Sequence, residues 1–508
     1  MPTDQQLPMR ERCWLIGLFC FTLAIRLLAI DQPIVENYVG RQIPSAMVAR
    51  NLERGSGFLF PQLDTAPFPS LFLVEPPIYQ EAVVLLARWL PISLEAAGRA
   101  VSGLAIGLGG VSLYLLVRRQ AGAWQASTAT LIFAAMPVTV RYGRAFQPDA
   151  LALGLVLTGT MLWDRWRVKG GAVRADLAWL TLATGLAVKV LWIFALLPAG
   201  WLIWQRLQTV PQLDVRRRIV ALVLILGSLL IPACFWYVHA ARCMSVGATA
   251  STVNASVWLS VLEPRSWFSM ETAHWIFRFG VVRAFSTLGV VLAAWGLWKG
   301  QGVKLWRLWA LGASGILVLV AGKLHHEYYW LLLAPAVAAA AVEGLACVRR
   351  LRPGYGGGLI SGFLMLTLLG TSIYHARTTW TTPPEWVQFQ ERGLKLGQAI
   401  PGDALMIGRE AVIYAANRRG MRMEWNPAAV KRALGEWGVE MKQEKATPAK
   451  LISWYHLRGA RYFAEMADPR GPTPEFPGDP SSVDRVIFQE PGLLLLKLTE
   501  PDHADNEG

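Results

Sequence analysis

Apolar runs about as long as a bilayer is thick recur along this chain, and basic clusters fall in every second gap between them. A helix needs about 20 mostly apolar residues to span the hydrocarbon core, and only helices or closed barrels satisfy their backbone polar groups there. Candidate spans begin near Trp14, Ala96, Ala123, Pro148, Leu177, Leu191, Ile219, Phe285, Leu308, Trp330 and Gly358. The expected fold class is therefore an α-helical polytopic membrane protein with about 11 transmembrane helices. The pairs at Ala123/Pro148 and Leu177/Leu191 are close enough to shift that count by one or two. Composition agrees: 54% of the 508 residues are hydrophobic and 17% charged, against about 25% charged in soluble chains. Disorder and a plain cytosolic enzyme are excluded.

A net charge of +14 would suit a nucleic-acid partner if the charge were spread over one face. Instead it is gathered at Arg10/Arg12, Arg118/Arg119, Arg165–Arg174, Arg206 with Arg216–Arg218, Lys299–Arg307 and Arg349–Arg352. These clusters occupy alternate loops, as the positive-inside rule requires, so no nucleic acid is expected. The rule puts the clusters and the N-terminus in the cytoplasm and the C-terminal segment outside a plasma (inner) membrane. The first apolar run follows Arg10 and Arg12 like a signal peptide. It is long for one and no small-residue cleavage site follows, so it reads as an uncleaved first helix. The five cysteines are scattered without a CxxC pair, so neither a disulfide framework nor a cysteine metal site is expected.

Three outer stretches are too long for turns: 31–91, 240–283 and the segment from Arg377. The first contains short amphipathic segments at 43–52 and 78–90. The last has soluble composition, with helices expected at 385–399 and 448–458, a strand at 404–407, and a hairpin of 483–488 with 493–498 around Glu490-Pro491-Gly492. The expected organisation is a membrane part over 1–376 with its first outer loop at 31–91, an extracytoplasmic α/β domain over 377–500, and a disordered acidic tail at 501–508.

The chemistry-bearing residues cluster at outer ends of spans. Asp31 and Glu36 precede Arg41, Gln42 and Arg50, and Glu75 and Tyr79 follow in the same loop. A carboxylate accepts a proton and a guanidinium fork grips phosphate oxygens bidentately. The plainer reading is a solvated interfacial loop whose arginines hold lipid headgroups. Arg144-Ala-Phe-Gln147-Pro148-Asp149 adds a further acid at a short outer connection, and Lys323-Leu-His325-His326-Glu327-Tyr328-Tyr329 lies at a later one. Ionisable groups at that depth are costly and mark function, although a His-His-Glu run also occurs as a plain exposed turn. Lys189 either joins this set or snorkels to a lipid phosphate.

Together these motifs resemble the membrane-embedded glycosyltransferases of the GT-C class. Within that class the chain is similar to the bacterial protein O-mannosyltransferase and lipid A aminoarabinose-transferase relatives. The resemblance rests on Glu36 with Arg41-Gln42 and Ser45-Ala-Met-Val-Ala-Arg50, on Glu75-Pro76-Pro77-Ile-Tyr79, on Arg144-Ala-Phe-Gln-Pro-Asp149, and on His326-Glu-Tyr328-Tyr329 ahead of Pro335. It departs from the class pattern in having Glu36 where Asp is usual and Tyr38 where His is common. The resemblance implies a donor sugar on a polyprenyl phosphate and an envelope lipid, glycan or protein as acceptor. It implies inverting transfer with Glu36 as general base (Asp31 is the alternative) and Asp149 as second carboxylate. Arg41, Arg50, Arg144, Lys189 and Lys323 would hold the departing phosphate. Tyr38, Gln42, Glu75, Tyr79, His326, Tyr328 and Tyr329 would line the substrates. Some members of the class use a divalent ion and others do not; Glu75, Asp149 and His325 or His326 are the candidate ligands. A transporter or flippase for lipid-linked sugars, and a non-catalytic assembly protein, are the rival classes. Alternating-access repeats are not evident in the sequence.

Overall fold

The computed structural model describes residues 7–35, 39–245, 264–468 and 470–500. Glu36, Tyr38 and the acidic segment 501–508 lie outside the described residues. The chain forms two compact units. One draws on the described parts of 1–30, 96–238 and 259–381, the other on those of 31–95, 239–258 and 382–508.

In the first unit a helix stands at each of the eleven apolar runs. Among the described residues, four helical runs are long and apolar enough to cross a membrane: Leu94–Ala121, Val190–Gln208, Glu327–Leu351 and Tyr355–Ala399. Two bent pairs, Val215–Ser228 with Ile231–Ser245 and Met270–Ala284 with Thr287–Lys299, raise the number to 6. The shortfall from eleven has physical causes. Met9–Leu27 carries Arg10, Glu11, Arg12 and Arg26, and Asp149–Lys169 ends in Asp164, Arg165 and Arg167. Pro137 divides the run that starts at Ala123 into Ala123–Ala135 and Pro137–Tyr142. A proline cannot donate the backbone bond that would continue the helix.

Small residues set the closest helix approach in this unit. A Cβ at Gly296 would run into the Ala340 carbonyl, and one at Gly344 into the Leu292 carbonyl. Thr287–Lys299 and Ala334–Leu351 therefore meet backbone to backbone, as apolar helices do when no large side chain separates them. Basic residues between helices are partly neutralised: Glu11 holds Arg118, and Asp164 holds Arg119 at 2.8 Å and Arg167 at 2.7 Å.

The second unit is built on a five-stranded sheet: β1 (Leu405–Gly408), β2 (Gly420–Arg422), β3 (Ala460–Met466), β4 (Val483–Glu490) and β5 (Leu493–Leu498). Its order is β2-β1-β3-β5-β4, with β1 parallel to β2 and β3, and β5 antiparallel to β3 and β4. Gly492 closes the β4–β5 hairpin at φ +67, a backbone conformation that glycine adopts without a Cβ penalty. Helices Pro384–Ala399, Pro427–Gly435 and Pro448–Leu457 pack around it, over a core that includes Ile407, Met421, Val430, Leu451, Phe463 and Leu496.

The loop following the first helix, grouped by its sequence with the membrane part, belongs to this second unit. Thr65 bridges Gly420 in parallel, the Ala66 amide donates to the Gly420 carbonyl at 2.7 Å, and the Gly420 amide donates to the Asp64 carbonyl at 2.9 Å. The loop thus covers the free edge of β2, which would otherwise leave a row of unpaired backbone groups. Ala66 enters the sheet's core.

Candidate active site

The motif residues divide between the two units. In the helical unit, Asp149 opens helix Asp149–Lys169 and Lys189 caps the end of Ala172–Val188. The Lys189 ammonium donates to Asp149 Oδ1 at 2.6 Å, and both side chains are buried. The ammonium also lies 4.7 Å from the centre of the Tyr328 ring. Such a cation–π contact gains strength where water is excluded. Asp149 Oδ2 is buried and accepts no hydrogen bond among the described residues, and neither amide atom of Gln147 has a partner. A buried carboxylate oxygen left open is costly and calls for an explanation. Tyr328 stacks with His326 at 5.5 Å and meets Tyr329 at 4.4 Å, so the Asp149–Lys189 pair carries an aromatic flank drawn from the His326–Tyr329 motif.

Other charges of the first unit serve the scaffold. Arg144, expected to hold phosphate, is buried and donates to the carbonyls of Ala29, at 2.6 Å, and Thr379. Each of its two terminal nitrogens thus donates one bond to backbone. Arg26 and Arg99 likewise satisfy the carbonyls of Thr22, Ala134 and Ile30. A further network was not foreseen from the sequence: the buried Glu327 pairs with the buried Arg141 and with the half-buried Arg283, the latter at 2.6 Å. Its signal was an arginine inside an apolar run, three residues before Arg144. Lys323 is half-buried in the turn at Ala321–Lys323, while His325 and His326 are exposed with ring centres 4.0 Å apart.

In the second unit, Arg41 and Gln42 lie on helix Val39–Glu53, Arg41 half-buried and Gln42 buried. Glu75 and Tyr79 are buried at and after the Pro76-Pro77 corner. Asp31 is exposed on a cavity of about 280 Å³ that Arg50, Glu53, Glu95 and Tyr414 also line. Arg50 also has partners within this unit. Its guanidinium donates to Asp64 at 2.5 and 3.2 Å and to the Tyr414 carbonyl at 3.0 Å, and it lies 4.5 Å from the Tyr414 ring centre. Asp64 is fully buried and also accepts from Asn51 at 3.2 Å and Arg54 at 3.1 Å. Arg50 is therefore an anchor between the loop and the sheet. Burial and the like charge of Arg50 pull the Arg54 pKa down, and Asp64 opposes them.

Among the described residues, no group of three or more His, Cys, Asp or Glu side chains is placed to hold a metal ion.

No protein-family model matches the sequence, and no curated protein matches it either. Solved structures do. ArnT from Cupriavidus metallidurans bound to undecaprenyl phosphate aligns over 96% of this chain and 98% of its own, with TM-score 0.57 and 11% identity. The archaeal oligosaccharyltransferase AglB from Archaeoglobus fulgidus, in complex with an inhibitory peptide and a dolichol-phosphate, aligns over 90% of this chain and 70% of its own, with TM-score 0.56 and 11% identity. The Archaeoglobus fulgidus oligosaccharyltransferase in complex with Zn and sulfate aligns over 89% of this chain and 68% of its own, with TM-score 0.55 and 11% identity. The chain has the GT-C membrane-protein fold to which ArnT and AglB belong, completed here by a small C-terminal sheet domain.

Proposed function

We propose that this protein is a membrane-embedded glycosyltransferase that moves a sugar from a polyprenyl-phosphate donor to an acceptor hydroxyl. The observation that carries the reading is the buried Asp149–Lys189 pair beside Tyr328, with Asp149 Oδ2 left open. A carboxylate and an ammonium kept buried together in a fold whose solved relatives hold undecaprenyl phosphate or dolichol-phosphate suit a reaction that separates charge. The donor loses a phosphate that is already an anion, so the step needs cations more than a general acid. Lys189, Lys323 and Arg41 supply them. The acceptor hydroxyl is a weak nucleophile, and Glu36 takes its proton as it attacks the anomeric carbon, with Asp31 as the alternative base. The attack breaks the bond to the phosphate oxygen from the opposite face, so configuration inverts with a single carboxylate as base. Asp149 Oδ2 orients the hydroxyl.

The charge pattern supports a protein of the plasma (inner) membrane with its N-terminus in the cytoplasm and residues 377–500 outside. Tags at 118–119 and 349–352 are expected to be cytoplasmic and a tag at Gly508 external; a cytoplasmic Gly508 sinks the orientation. The reaction itself is tested with purified protein and a panel of polyprenyl-phosphate sugars. Release of polyprenyl phosphate from a member of the panel, lost in Asp149→Asn, is the expected result. Movement of the lipid-linked sugar across vesicles without release of lipid phosphate would replace the transferase with a flippase.

A further inference from the structure

The second unit holds a cavity of about 640 Å³, within the roughly 300–1,000 Å³ of small-molecule sites. Its position follows from topology. The chain leaves β1 for β2 on one side and returns to β3 on the other, giving the spatial order β2-β1-β3 in parallel. Where successive connections depart in opposite directions, a crevice opens outside the carboxyl ends of the strands, and ligands bind there. The cavity is walled by the segments that follow β1 (Arg409, Glu410), β2 (Met423, Glu424, Trp425) and β3 (Ala467, Asp468). The first turns of helix Pro384–Ala399 close it with Trp386, Phe389 and Arg392.

The lining selects a class of ligand. Arg409 is paired with Glu465, and Arg422 with Glu424 at 3.0 Å and Glu436 at 3.4 Å, so neither guanidinium offers surplus charge to an anion. Guanidinium donors and carboxylate acceptors are interleaved without an excess of either sign. Hydroxyl groups both donate and accept, and suit such a wall better than a phosphate or an ammonium does. Arg392 Nη1 is buried and has no hydrogen-bond partner among the described residues. Trp425 keeps 44% of its surface exposed, and Trp386 and Phe389 are half-buried, so flat apolar faces stand beside the polar groups. Val35, one residue before Glu36 in the chain, completes the wall.

We infer that this cavity is a saccharide-binding pocket, and that it takes a neutral glycan with sugar faces against Trp386 and Trp425 and hydroxyls on Glu424 and Arg392. It rests on the transferase reading only in making that glycan the acceptor. The test uses full-length protein in lipid nanodiscs with no donor lipid present. Tryptophan fluorescence and saturation-transfer NMR follow titration with neutral hexose and N-acetylhexosamine oligosaccharides, inorganic phosphate, and short acidic and basic peptides. A neutral oligosaccharide is expected to bind, and Trp425→Ala and Glu424→Gln are each expected to weaken it about tenfold. Trp425 is exposed, so its loss leaves the fold intact, and unchanged circular dichroism checks this. If no saccharide binds, if Trp425→Ala leaves binding unchanged, or if phosphate or a peptide binds in its place, the pocket assignment falls. Release of polyprenyl phosphate is measured separately, so that result leaves the transferase reading standing. Saccharide binding without any donor turnover overturns the transferase reading and keeps the pocket.

Discussion

The two units handle buried charge in opposite ways. In the helical unit several buried cations are fixed by backbone carbonyls or by one carboxylate from a distant segment: Lys189 on Asp149, Arg141 on Glu327, Arg26 and Arg99 on carbonyl oxygens. In the second unit, carboxylates are gathered several at a time around Arg422, and Glu410 stands among Arg422, Glu424 and Glu436. The first arrangement holds charge where apolar helices offer no water to share it. The second lets protonation change near neutral pH. Reaction chemistry is expected from the fixed charges, and adjustable recognition from the clustered ones.

The largest effect tests which carboxylate is the base. Glu36→Gln keeps shape but removes the proton acceptor, so transfer should fall by roughly 10²–10⁴-fold while donor binding persists. Asp31→Asn should be mild. If Asp31→Asn abolishes turnover and Glu36→Gln does not, the roles exchange.

Next comes the Asp149–Lys189 pair. Asp149→Asn or Lys189→Met should each lower turnover by about 10²–10³-fold and destabilise the protein by about 3–5 kcal/mol, since each leaves one buried charge without its counter-ion. The double variant Asp149→Leu/Lys189→Met separates the two roles. Stability should recover, because no lone charge remains, but turnover should not. Recovery of both would make the pair purely structural and erase the contrast between the units.

The Arg41 and Arg50 substitutions divide binding from anchoring. Arg50→Lys cannot reproduce the fork on Asp64 and should lower the melting temperature while leaving the donor KM unchanged. Arg41→Lys should do the reverse, weakening donor use by about 1–3 kcal/mol. A raised donor KM in Arg50→Lys would return that residue to the phosphate site.

Some of this was legible in the chain and some was not, for physical reasons. Helices at the apolar runs follow from hydropathy, though not the number of spans, and the β4–β5 hairpin follows from Pro491-Gly492 between apolar runs. β3 escaped notice because nearly all of Ala460–Met466 is buried, which removes the alternation that marks a half-exposed strand. β2 is only 3 residues long and gains its place from its neighbours. Lys189 and Asp149 were both singled out, but nothing in a sequence shows that residues 40 apart will share a proton-distance contact. The partners of Arg50, Asp64 and Tyr414, were not legible because they come from a proline-rich loop and a short helix with no motif of their own. The topological crevice could not be foreseen without β2 and β3.

The smallest expected effect is a pH dependence that only the clustered unit should show. Burial, aided by Glu424 and Glu436 and opposed by Arg422, pushes the Glu410 carboxyl up to about 7. A carboxyl whose folded-state pKa lies above its unfolded value binds its proton more tightly when folded. Its contribution to stability is therefore complete below the ordinary carboxylate range near pH 4 and is lost as pH rises through about 7. Glu410→Gln mimics the protonated form at every pH, so it should stabilise the protein above pH 7 and change little below pH 5. The gain should be on the order of 1–2 kcal/mol, reduced from the full effect of the shift because the side chain is partly exposed to the cavity. Chemical denaturation of the whole protein at pH 5 and pH 8 measures it. Equal stability of Glu410→Gln and wild type at pH 8 would show that the cluster around Arg422 already holds Glu410 ionised, and the two units would then treat buried charge alike.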